Sequence, residues 1–161
     1  MTKQFFGQWL SLLCIFVVAL VMELAPWPTS LHYFKPAWLV LALLYWTLFI
    51  PQKVSIGWGF MLGLVWDLIL GSVLGIHALI LSIATYIIAA NHQLLRNLSL
   101  WQQSLLVVGY IFIIRLAIFV LEFLIHTADF HWQDILGACI SGLLWPWVYL
   151  LFRVIGHKLR F

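Results

Sequence analysis

Four ionisable side chains stand inside long apolar runs of this 161-residue chain: Glu23, Asp67, Arg115 and Glu122. A charge at the centre of a membrane helix costs about 2.5–3.5 kcal/mol on insertion scales. Residues kept there build a ligand or ion site, or brace the fold as ion pairs. Helix direction puts Glu23, Asp67 and Glu122 near the outer ends of their predicted helices, and Arg115 near the middle of its own. Arg115 and Glu122 are seven residues apart. They share one helical face, about 10 Å apart along the axis. The Arg115 guanidinium can snorkel outward, and a pair with Asp67 or Glu122 would lower the cost of burying it. A proton or ion pathway needs a relay through the full depth of the bilayer. No acidic residue falls in the inner half of a predicted span, which argues against a pump. Structural bracing is the preferred reading of these charges.

Other chemistry finds little footing. There is no G-x-x-x-x-G-K-[ST] phosphate loop, no H-E-x-x-H pair and no G-x-S-x-G elbow. Ser141-Gly142 has a faint likeness to an intramembrane serine protease, but Cys139 stands where the preceding glycine belongs. His126, Asp129 and His131 share one predicted loop, without a third firm ligand at metal-binding spacing. His77 falls near the predicted level of Asp67, so a hydrogen bond between them is expected, but a catalytic dyad is not. Cys14 and Cys139 lie inside apolar runs and read as inert thiols rather than a disulfide framework. The expectation is a protein that is not an enzyme and holds no metal or cofactor.

The elements that position these groups are membrane helices. The chain is 65% hydrophobic and 8% charged, against about 45–50% and about 25% in soluble domains. No small water-soluble fold hides that excess. A transmembrane helix takes about 20 mostly apolar residues. Six spans are predicted, at 5–24, 33–50, 54–70, 74–90, 104–125 and 135–152, within one integral membrane domain over 1–161. The segment after Lys3 exits through Glu23-Leu24-Ala25-Pro26, which is not a signal-peptidase site, so it reads as an uncleaved first span. Pro26 and Pro28 end the first helix. Pro36 is expected in the first turn of the second, Pro51 closes it, and Gly71-Ser72 turns the chain between the third and fourth.

Charge sets the orientation. With the N-terminus cytoplasmic, Lys3, Lys53, Arg96, Arg153, Lys158 and Arg160 fall on inside connections and only Lys35 on an outside one. That bias matches the positive-inside rule and favours an even number of spans. The net charge of +3 is thus a topology signal and not a nucleic-acid footprint. Over 92–103, His92, Arg96, Ser99 and Gln103 repeat on one face and Leu94, Leu98 and Trp101 on another. An amphipathic helix at the cytoplasmic interface is expected there, with Arg96 and Trp101 available to headgroups or a partner. Gly59 and Gly63 form a G-x-x-x-G step, and Gly137–Ser141 and Ala138–Gly142 are similar small pairs. They suit close helix packing, more readily within the subunit than with another chain.

Several segments together resemble the rod-shape-determining MreD family, in its Gram-negative form, over essentially the whole chain. They are Pro26-Trp27-Pro28; Lys35-Pro36-Ala37-Trp38; Tyr45-Trp46; and the most telling stretch, Gly63-Leu64-Val65-Trp66-Asp67-Leu68-Ile69-Leu70-Gly71-Ser72-Val73-Leu74-Gly75. Gln93-Leu94-Leu95-Arg96-Asn97-Leu98, Leu100-Trp101-Gln102-Gln103, Glu122-Phe123 and Gly142-Leu143-Leu144-Trp145-Pro146-Trp147 complete the set. The resemblance implies an all-α polytopic membrane bundle. Its fold would be similar to the substrate-binding subunits of energy-coupling-factor transporters, which by itself confers no transport.

The resemblance further implies a non-catalytic scaffold in the bacterial inner membrane. The scaffold would bind MreC and work beside the actin-like MreB, RodA and a penicillin-binding transpeptidase in lateral peptidoglycan synthesis. Asp67 and the turn from Gly71 to Gly75 would then shape the outer rim, with Arg115 and Glu122 as further partner-binding or structural groups. The rival from another class is a small-molecule-binding membrane subunit of a transporter. It requires an outward-facing cavity lined by Asp67, His77, Arg115 and Glu122.

Overall fold

The computed structural model describes residues 2–125 and 132–159. Its α-helices are α1 (Thr2–Leu24), α2 (Trp38–Phe49), α3 (Ile56–Leu70), α4 (Ile76–Ala90), α5 (His92–Arg96), α6 (Leu100–Ile125) and α7 (Gln133–Lys158), with a 3-10 turn at His32–Phe34. No strand occurs among the described residues. Helices α1, α6 and α7 carry stretches long and apolar enough to cross a membrane. The apolar helices α2, α3 and α4 are shorter, at 12, 15 and 15 residues, or about 18–22 Å at the standard rise.

The bundle is built around α2. Ten of its twelve residues, Leu39 through Leu48, are buried, so this helix is apolar on all sides. It packs against α1, α4, α5 and α7, while α3 lies along α4 and α6 along α7. The outward faces of the surrounding helices are apolar too. Leu124, Leu143 and Trp147 are each about three-quarters exposed, as a lipid-facing surface demands and a soluble one does not tolerate.

The helices alternate in direction. One end of the bundle gathers Glu23, Ala37, Leu70, His77 and Glu122 around a single cavity; we call this end the rim. The other end, the base, holds the stacked rings of Trp9 and Trp58 (5.9 Å) and the contact of Gln8 with Lys53. Chain breaks follow local chemistry. Gly71 ends α3 at φ 62, the left-handed conformation glycine adopts without penalty, and Gly75 precedes α4 at φ 104.

Three departures from the sequence expectation bear on the site. The second helix begins at Trp38 and not near 33, so Pro36 lies before it and not in its first turn. Lys35 is extended, at ψ 117, as a residue before proline prefers. The expected amphipathic helix over 92–103 is split. α5 stops at Arg96, the chain turns at Asn97, and α6 has started by Leu100. Gln103 belongs to α6 and is buried at 5% exposure, not laid on a polar face. Its amide donates to the Leu95 and Leu98 carbonyls (3.2 and 3.3 Å) and so closes the end of α5. The last helix also runs six residues past the predicted 152, to Lys158.

Candidate functional site

The rim is assembled from polar side chains that serve helix ends other than their own. Asp67, on the last turn of α3, is fully buried. Its Oδ1 accepts from the Ser72 hydroxyl (3.0 Å), the His77 backbone N–H (3.3 Å) and His77 Nδ1 (2.7 Å). Its Oδ2 accepts from the N–H groups of Gly75 (2.9 Å) and Ala78 (3.4 Å). A helix start leaves its first N–H groups without helical partners. Gly75, the N-cap of α4, has no side chain to meet them, so the carboxylate of the preceding helix does so. The His77 ring rests against Trp66 with centroids 4.8 Å apart. The expected Asp67–His77 hydrogen bond is therefore present, within an acid-capped turn.

The N-terminus of α2 is treated in the same way. Its N-cap is Ala37, which offers no cap. The Ala37 N–H donates to the Ser141 hydroxyl on α7 (3.0 Å), and that hydroxyl donates to the Gly137 carbonyl (2.7 Å). The Leu39 N–H donates to Glu23 Oε2 on α1 (3.4 Å). Lys35 Nζ donates to the Glu23 carbonyl. Two distant helices, α1 and α7, thus converge on the start of the central helix. Ser141 is fully buried and its hydroxyl is committed in both directions, which leaves the faint protease likeness without a free nucleophile.

Beside these caps lies a half-open cavity of about 1150 Å³. Its polar lining includes Glu23, His32, Lys35, His77, Arg115 and Glu122. Its apolar lining includes Val40, Trp66, Leu70, Ile114, Ile118 and Phe119. Arg115 reaches it because Gly137 is small: a Cβ on Gly137 would stand 2.8 Å from Arg115 Nη1 and 3.0 Å from the Lys35 carbonyl. Arg115 and Lys35 both act electrostatically on Glu23. Asp67 is enclosed by its own turn and is not among the cavity's lining residues, whereas Arg115 and Glu122 are.

The remaining sequence candidates fall elsewhere. Gly59 and Gly63 lie against α4. Added Cβ atoms would stand 2.7 Å from the Leu81 carbonyl oxygen and 2.6 Å from the Ala78 nitrogen. At the base, Arg96 sits over the Phe49 ring at 5.5 Å, and Trp101 is 66% exposed. Cys14 and Cys139 are free and face outward. His126, Asp129 and His131 lie outside the described residues, and no metal-binding cluster occurs among the described ones. Reading by residue type overlooked Ser141 and Lys35 as rim groups and gave Gln103 the wrong surroundings. Ala37 was the available signal, since a buried helix opening without a capping side chain must borrow one.

Fold and site define an all-helical, polytopic membrane protein whose buried polar groups hold helix ends together. Comparison with known proteins narrows the class. The family model described as rod shape-determining protein MreD matches residues 3–155. A rod shape-determining protein MreD of Haemophilus influenzae is 65% identical over 160 residues, covering 99% of both chains. No solved structure matches. The chain belongs to the rod shape-determining protein MreD family and has a role in cell shape. This is a family of shape determination, not a known enzyme family.

Proposed function

We propose that this protein is a non-catalytic membrane scaffold of the complex that builds the lateral cell wall. It crosses the inner membrane six times with both termini cytoplasmic, and it binds MreC beside MreB, RodA and the penicillin-binding transpeptidase. The observation that carries the reading is the use of its buried polar groups. Asp67, Ser141 and Gln103 are each spent on backbone or ring N–H groups and carbonyls of neighbouring elements, which suits a rigid shape offered to partners. The short helices are compatible with crossing, because backbone at membrane depth is tolerated where it is buried in protein, as α2 is.

In this reading the turn from Gly71 to Gly75, held by Asp67, shapes the rim that MreC meets. Asp67→Asn should lower MreC recovery several-fold in a mild-detergent pull-down, at equal membrane levels of the two forms. Unchanged recovery would remove Asp67 from the interface. A small-molecule-binding subunit of a transporter is the second reading, and the cavity favours it. Its mark would be a transporter ATPase pair co-purifying in place of MreC.

A further inference from the structure

We propose that the rim cavity is a binding site for one zwitterionic phospholipid, with its phosphate on Arg115 and Lys35 and its primary amine on Glu122 and Glu23. Charge is the first reason. Two cations and two carboxylates line one cavity, which matches a headgroup carrying both signs rather than a simple anion or cation. Donor chemistry is the second. Lysine offers three N–H donors and arginine five, with no acceptor; Lys35 gives one of its three to the Glu23 carbonyl. Arginine is well shaped for phosphate oxygens. Carboxylates only accept, so they suit a primary amine better than a trimethylated one, which has no N–H.

The apolar wall supplies the third reason and selects a lipid over a soluble zwitterion. The half-exposed Leu70 of α3 and the partly exposed Ile118 and Phe119 of α6 form an apolar lining of the cavity. A free phosphoethanolamine would leave that lining uncovered. The first part of an acyl chain would cover it. The cavity also lies between Trp66 and Leu70 of α3 and Phe119 and Glu122 of α6. Those two helices take α4 and α7 as their main partners, so neither is closely packed on the other.

This inference does not depend on the MreC reading. The test is native mass spectrometry of the purified protein released from nanodiscs of equal parts phosphatidylethanolamine, phosphatidylcholine and phosphatidylglycerol. One retained lipid is expected, with phosphatidylethanolamine favoured about tenfold over the others. Glu122→Gln should erase the preference for the amine headgroup. Arg115→Gln should lose the lipid. Ile118→Trp, which bulks out the apolar lining and leaves every charge in place, should also lose it, so a folding defect in the arginine variant cannot decide the matter. Equal retention of all three lipids, or none, would overturn the proposal. So would saturable binding of free phosphoethanolamine that matches the lipid, because the site would then serve a soluble ligand.

Discussion

The two ends of α2 are held by different physics. At the rim, its first N–H groups are met by Ser141 and Glu23, and the adjoining α4 is met by Asp67. At the base, α2 ends in Tyr45, Trp46 and Phe49, packed on Trp145, Tyr149 and Phe152 of α7. Ring centroids there lie 4.6 to 6.4 Å apart. Among its polar links is that from Trp145 Nε1 to Gln103 Oε1 at 3.2 Å. Hydrogen bonds fix direction but fill little volume, so the rim keeps a cavity. Aromatic rings fill volume at interior density and close the base. In the readings proposed above, the rim receives the ligand or partner and the aromatic base anchors it.

The contrast can be broken by measuring what each end is worth, with sodium dodecyl sulfate titration in mixed micelles as the readout. Trp145→Ala should cost the most, about 3–5 kcal/mol, because it deletes a fully buried ring and takes the indole donor from Gln103 Oε1. Asp67→Ala should come next, at about 2–4 kcal/mol, since several buried N–H groups lose their acceptor together. A larger loss at Asp67 than at Trp145 would reverse the assignment of the anchor. Ser141→Ala should cost least, about 1 kcal/mol, a typical cap. Its value sharpens the comparison, because a loss near that of Asp67→Ala would mean that the two rim caps act as one unit.

Much of this architecture is legible in the sequence. Apolar runs marked the helices, and Gly71 through Gly75 marked the turn, because these features depend on local chemistry. The Asp67–His77 bond was also readable, its partners lying ten residues apart across a short hairpin. What escaped depends on distant contacts. Ser141 meets Ala37 across 104 residues of sequence, and nothing near either residue announces the pairing. By sequence Lys35 is a topology charge in a sparse loop, while its side chain also lines the cavity. Gln103 fits an amphipathic repeat by spacing, yet its amide turns inward to the Leu95 and Leu98 carbonyls, at and just past the end of α5. Periodicity detects a face but not which neighbour that face will meet.

The cap on α2 also bears on how the chain is made. Synthesis runs from the N-terminus, so Ala37 emerges long before Ser141. Until α7 follows, the Ala37 N–H lacks the hydroxyl that accepts it, and the aromatic base lacks Trp145, Tyr149 and Phe152. The second helix therefore reaches its finished surroundings only when the last one arrives, and the centre of the bundle is among the final parts to be completed.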